Sequence, residues 1–370
     1  LATSLLEASG AGDYAASDLA GLLSGKNVSA GFATSAFNRS FSGYSSVKDL
    51  QTFFELLHLL WTEPRFDERA VNAYLSRLKT SLTQNRDNPD VYFGNELAKA
   101  LSSGNPYFTP LEPEDLEKLD IDDAYAFALL CRNPADWTFV FTGNINTDTF
   151  GAYLEQYLAS IPVYEAPASG DRLDSFARIT VTRPSPAQKT IRKGKENRST
   201  VFAGYYVPAT FSEKEAVAAY IFNEYLDIHF NTVLREQRGG VYSVSAEVNL
   251  SPLPQPGELS LDVYFYCDPA RAGELVETVN AELANIAGGA VSADIFTKAK
   301  AAQTNVWEDS MQDNGYIASR YANFAVIFGL PLAQLQRRGG TLDAVTPAEI
   351  QAIARKLIDA GAFVLVLNPE

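Results

Sequence analysis

Leu234-Arg235-Glu236-Gln237-Arg238-Gly239-Gly240-Val241-Tyr242-Ser243-Val244 contains a switch of backbone period from helix to strand, and the fold reading starts there. Upstream, Ser212-Glu213-Lys214-Glu215 has the Ser-x-x-Glu form of a capping box, in which the two side chains each satisfy a free N–H of the first helical turn. This predicts a long helix running to about Gln237. Gly239-Gly240 ends it, because glycine accepts the left-handed cap conformation at little cost. A strand follows over 241–249, then a proline-rich turn at 252–256. Beyond it Leu259, Leu261, Val263, Phe265 and Cys267 occupy every second position, the pattern of a sheet with one buried side.

Working outward, the β-branched and aromatic run at 199–207 predicts a strand before the long helix. After residue 267, Leu275, Val276, Val279, Leu283 and Ile286 form a helical apolar stripe. Helices are expected at 293–311, 313–327 and 347–359, and a last strand at 362–367. The first half reads in the same order: a strand near 38–44, helices at 47–61, 67–83, 90–102 and 115–130, and a strand at 137–143. Phe139-Val140-Phe141 precedes Phe363-Val364-Leu365 by 224 positions, and Leu119 and Phe127 precede Val345 and Ile353 by 226. A nearly constant offset across strand and helix indicates a duplication.

The expectation is therefore an α+β chain of two homologous domains, 1–165 and 175–370. Each would be a mostly antiparallel sheet with helices on one face. The first domain opens in a helix and lacks the early strands of its counterpart. The join at 161–176, with Pro162, Pro167, Ser169 and Gly170, reads as a linker. The basic run Arg183, Lys189, Arg192, Lys193, Lys195 and Arg198 reads as a solvated β-hairpin with Lys193-Gly194-Lys195 at its tip.

The 370 residues are 46% hydrophobic, enough for a core in each domain, and no apolar run is long enough to span a membrane. A net charge of −15 argues against nucleic acid, which wants a basic face, and is compatible with basic substrates. Cys131 and Cys267 show no metal-site spacing and read as buried thiols. The histidines are His58 and His229, each with the character of a core or groove residue. There is no Gly-x-Ser-x-Gly elbow and no Gly-x-Gly-x-x-Gly. Gly25-Lys26-Asn27 lacks the upstream glycine and the Ser/Thr of a phosphate loop.

The Arg235…Tyr242 segment strongly resembles the Arg-x₆-Tyr signature in the C-terminal domain of pitrilysin/insulinase-type zinc metallopeptidases. Residues 132–144, Arg-Asn-Pro-Ala-Asp-Trp-Thr-Phe-Val-Phe-Thr-Gly-Asn, resemble a fold-marking strand of the same family, and the similarity covers about 1–368. The opening Leu1-Ala2-Thr3-Ser4-Leu5-Leu6-Glu7-Ala8-Ser9-Gly10 resembles the family's His-x-x-Glu-His zinc helix, with Ser4 and Ala8 in the histidine positions and Glu7 retained. The family's distal glutamate ligand is also missing, since no glutamate lies between Glu68 and Glu96. The resemblance thus implies a two-domain half with the family's LuxS/MPP-like fold, holding no metal. Zinc and general base would come from an N-terminal catalytic half, fused or separate, or a homologous subunit. Arg235 and Tyr242 would bind peptide substrate and support the oxyanion that develops at zinc. The residues alone also allow Arg235 to pair with a nearby carboxylate and Tyr242 to pack in the sheet. The alternative within the same fold is a non-catalytic processing-peptidase partner or assembly scaffold. Bacterial export to the periplasm is an expectation drawn from the family alone.

Overall fold

The computed structural model describes residues 1–36, 38–130, 132–163, 180–253 and 257–370. They form two compact units: 1–85 with 111–174, and 86–110 with 175–370. The segment 86–110 therefore clusters with the second unit, a division that a simple cut at 165–175 does not capture. Most of the expected linker at 161–176, residues 254–256 of the expected turn and Cys131 lie outside the described residues.

The second unit holds a five-stranded sheet in the order β3-β7-β4-β6-β5, where β3 is Ala187–Arg192, β4 Ser199–Pro208, β5 Val241–Ser251, β6 Glu258–Cys267 and β7 Ala362–Asn368. Three pairings are antiparallel, and β3 with β7 is parallel, so the sheet is mixed. The expected hairpin at 183–198 does not form, because β7 lies between β3 and β4. The cause is composition. β4 and β7 are almost continuously apolar and take interior places buried on both faces. β3, Ala-Gln-Lys-Thr-Ile-Arg, is mostly exposed and suits a charged edge.

One sheet face carries the main core. Val201, Ala203, Tyr205, Val263, Phe265, Val364 and Val366 meet the Glu213–Phe230 helix, the Ala272–Ala287 helix and the Pro347–Ala360 helix. The other face was expected to be free of helices, and it is not. A helix at Pro89–Leu101 sends the fully buried Phe93 into Phe202, Ile191, Phe363, Leu365 and Leu367. Here the basic run finds its partners. Lys193 pairs with Asp87 at 2.7 Å, Arg198 with Asp90 at 3.2 Å and Lys189 with Glu96 at 3.6 Å. Arg183 pairs with Glu258, stacks over Tyr206 and donates to the Leu101 carbonyl at 3.3 Å. These groups attach a helix from the first half of the chain to the sheet of the second.

The first unit contains an antiparallel hairpin, β1 Val28–Thr34 with β2 Arg39–Ser45, of which the sequence reading had only the second strand. Its core is aromatic: Phe32, Phe53, Phe54 and Trp61 are buried with Leu57 and Ile161. The expected strand at 137–143 is not part of any ladder. Its alternate residues Trp137, Phe139 and Phe141 nevertheless pack on Trp61 and Phe54, with ring centroids 5.0–6.0 Å apart. The inward alternation was legible, but the segment forms no ladder with a described strand. The helix expected at 115–130 is a 3₁₀ turn at Leu116–Lys118 followed by an α-helix at Ile121–Leu130. Among the described residues no helix is long and apolar enough to cross a membrane.

Two outcomes follow for the second unit. Phe93→Ala should lower its unfolding free energy by about 3–5 kcal/mol, whereas Asp90→Asn should cost below about 1 kcal/mol, because exposed ion pairs contribute little. Chemical denaturation decides this, and a neutral Phe93→Ala would show that the helix is not part of the core. Asp262, whose Oδ1 accepts the Tyr206 hydroxyl at 2.7 Å, has its pKa pushed by burial up to about 6. The folded state therefore keeps a proton that the unfolded chain releases near pH 4, so the contribution of Asp262 to stability should fall as pH rises from about 4 to about 6. Asp262→Asn should flatten that slope in a pH series of melting curves.

Candidate functional site

The helix Glu213–Phe230 begins as its capping sequence predicts, with the Ser212 hydroxyl accepting from the Glu215 N–H at 3.2 Å. Val217, Ile221, Phe222, Tyr225, Leu226 and Phe230 are buried and fix its roll on the sheet. The helix then changes character: Asn231–Gln237 is a π-helical turn, closed by the Arg238 N–H donating to the Val233 carbonyl at 3.0 Å. Such turns insert a residue and redirect the side chains that follow. Val233 and Leu234 remain inside, and Arg235 is delivered to the surface.

Gly239 and Gly240 make the turn at φ of 57° and 120°, a region closed to most side chains. The Gly239 carbonyl accepts from the Arg271 guanidinium, and a Cβ on Gly240 would strike that same group. Arg271 is in turn held by Glu274 at 3.1–3.2 Å. The strand then opens with a bulge: Val241 pairs with Cys267 and Ser243 with Tyr266, leaving Tyr242 as the extra residue. Tyr242 is 70% exposed. Arg235 and Tyr242 thus flank one turn, each set by an irregularity of the backbone. Among the described residues neither side chain has a hydrogen-bond or ion-pair partner, and Tyr242 does not pack in the sheet. The sequence pointed to both residues; it gave no sign of the π-turn or the bulge.

In the first unit, Ser4 and Ala8 lie one turn apart on the helix Ala2–Ser9, both half-buried, while Leu5 and Leu6 anchor it in the core. Glu7 keeps much of its surface exposed, although its carboxyl lies over Gly31 and desolvation raises its pKa. A hydroxyl and a methyl in place of two imidazoles do not fit zinc. Among the described residues no three His, Cys, Asp or Glu side chains converge on a metal position. His58 lies beside Thr62 and edge-on to Tyr157. His229 contacts Glu282 at 2.8 Å and stacks on Tyr225. Cys267 is a free buried thiol, with burial pushing its pKa to about 11.

The chain is similar to several known proteins. The family model described as the peptidase M16 inactive domain matches residues 118–303, half of the chain. A zinc protease PQQL-like protein of Arabidopsis thaliana is 24% identical over 284 residues, 74% of this chain and 30% of that protein. The probable zinc protease PqqL of Escherichia coli is 26% identical over 288 residues, 76% and 29% respectively. The chain thus spans about a third of the length of these relatives. In structure, the periplasmic protease PqqL from Escherichia coli superposes with a TM-score of 0.81 at 21% identity, over 100% of this chain and 40% of that one. A peptidase M16 inactive domain from Pseudomonas fluorescens gives 0.74 at 15%, over 100% and 87%. A mutant of the ferredoxin protease FusC, solved in complex with Arabidopsis ferredoxin, gives 0.77 at 18%, over 100% and 40%. With half of its length matched by that model, the chain belongs to the peptidase M16 inactive-domain family.

Proposed function

We propose that this chain is the C-terminal, non-metal half of a PqqL-type zinc peptidase, lining the chamber and holding the substrate while the other half supplies zinc and general base. The observation that carries it is the state of Arg235 and Tyr242. These two are exposed, unpartnered and aimed by built irregularities, which is how donors meant for an incoming ligand are kept. Arg235 offers a rigid fork of N–H groups to peptide carbonyls, and Tyr242 a single O–H. Tyr242 fits charge that develops in the transition state, and Arg235 fits backbone present in the ground state as well. The parent reaction would be hydrolysis of polypeptides, as the names of the relatives support. A periplasmic location follows the Escherichia coli relative. The repeated order of helix, hairpin and helices supports two homologous domains, 1–165 and 175–370.

Two experiments test this reading. The 370-residue chain alone should hold no zinc and cleave no peptide; one equivalent of tightly bound metal after chelation and zinc reconstitution, measured by elemental analysis, would sink it. In the complete enzyme Tyr242→Phe should lower kcat by roughly 10²–10³-fold with a smaller effect on KM, whereas an Arg235 variant should shift KM as well. Wild-type hydrolysis by Tyr242→Phe would return the chain to the alternative of a non-catalytic partner or scaffold.

A further inference from the structure

β5 ends its sheet, so one row of its backbone groups has no strand partner among the described residues. An edge of this length is usually guarded by proline, lysine or an inward charge. Val-Tyr-Ser-Val-Ser-Ala-Glu-Val-Asn-Leu-Ser has no proline or lysine, and its one charge, Glu247, is exposed. The guard comes instead from the neighbouring helix. Asp227 Oδ1 accepts the Ala246 N–H at 2.9 Å, and Asn223 Oδ1 accepts the Val248 N–H at 2.7 Å. The two side chains are one helical turn apart and joined, Asn223 Nδ2 donating to Asp227 Oδ2 at 3.2 Å. Ladder alternation turns the Val244 N–H the same way, but no side chain of that helix takes it. The latch therefore leaves two separate open stretches, one from the bulge at Tyr242 to Val244, next to the turn that carries Arg235, and a second at Leu250, whose N–H faces the same way.

We propose that Asn223 and Asp227 form an edge latch, which limits an extended peptide to a short landing on Tyr242–Val244 and prevents it from adding along the whole of β5. The ligand, an extended peptide backbone, rests on the clamp reading above. The chemistry is direct. Strand addition needs alternate N–H donors of the edge, and two successive ones are already used. Displacing the latch would strip Asp227 of its backbone donor in a place where burial, with Glu224 nearby, already raises its pKa. Substrate is thereby held at the end of the strand that carries Tyr242 and cannot slide along it. The latch also keeps the edge from pairing with the edge of a second copy.

The test uses the 370-residue chain, backbone amide NMR and a capped peptide of alternating threonine and valine. In the wild type, peptide-induced shifts should stay within 241–245. In Asn223→Ala/Asp227→Ala they should extend to Leu250 and affinity should rise roughly ten- to hundredfold, the worth of two added hydrogen bonds. Asp227→Asn, which keeps an acceptor oxygen, should behave as the wild type. Shifts along all of β5 in the wild type would overturn the latch, as would a folded double variant with no gain. Self-pairing of the double variant in place of peptide binding would overturn peptide as the excluded strand. Should the double variant fail to fold, Asn223→Ala alone decides: the Val248 amide should exchange with solvent about tenfold faster while Ala246 is unchanged, and equal protection would refute the idea. These readouts concern β5 alone, so failure of the clamp, read as hydrolysis in the complete enzyme, is distinguishable from failure of the latch.

Discussion

Burial of both faces of β4 and β7 is the constraint from which the rest of the second unit follows. Val201, Ala203 and Tyr205 point into one core, Phe202 into another, and Val364 and Leu365 divide in the same way. Two apolar faces need two covers. The Glu213–Phe230, Ala272–Ala287 and Pro347–Ala360 helices supply the first, and Pro89–Leu101 supplies the second. The acidic residues on and before that last helix, facing Lys189, Lys193 and Arg198, orient it. Phe93 holds it, because exposed ion pairs contribute far less than a fully buried aromatic ring.

The same packing places the candidate site. The helix that leads to Arg235 is fixed on the sheet by nine buried apolar side chains, which hold its end in place. Its final turn and the start of β5 are the irregular parts of an otherwise regular helix-to-strand unit, and they hold the two unpartnered donors. Irregularity confined to the positions that would meet a ligand, on a rigid support, is the arrangement a preorganised binding group needs. In the first unit, Ser4 and Ala8 lie one turn apart on the helix that carries Glu7 and offer no imidazole to a metal.

Much of this was legible in the sequence where periodicity and turn chemistry agreed: β4, β6, the final strand and the helix opened by Ser212. Arg235 and Tyr242 were found by motif, and their exposure is consistent with that reading. What failed to show depends on distant pairing. The strand expected at 137–143 has the right alternation but joins no ladder among the described residues. The hairpin expected at 183–198 was broken by β7, more than 160 positions away. Asn223 and Asp227 gave no signal, since two polar residues one turn apart on a long helix look like an ordinary wetted stripe until the edge they cap is known. The π-turn and the bulge are equally silent, because one inserted residue leaves composition unchanged.

The place of β7 has a consequence for how this chain is made. It fills the gap between β3 and β4, yet residues 362–368 leave the ribosome after every other strand of the sheet. Until then β3 has no partner, β4 has only β6, and the helix bearing Phe93 waits with its apolar side uncovered. Closure of the sheet is thus deferred until β7 has been made, and a nascent chain still short of it would present two greasy faces and open edges to its surroundings. A few residues lost from this strand would do more harm to the unit than the same loss from the polar edge at β3.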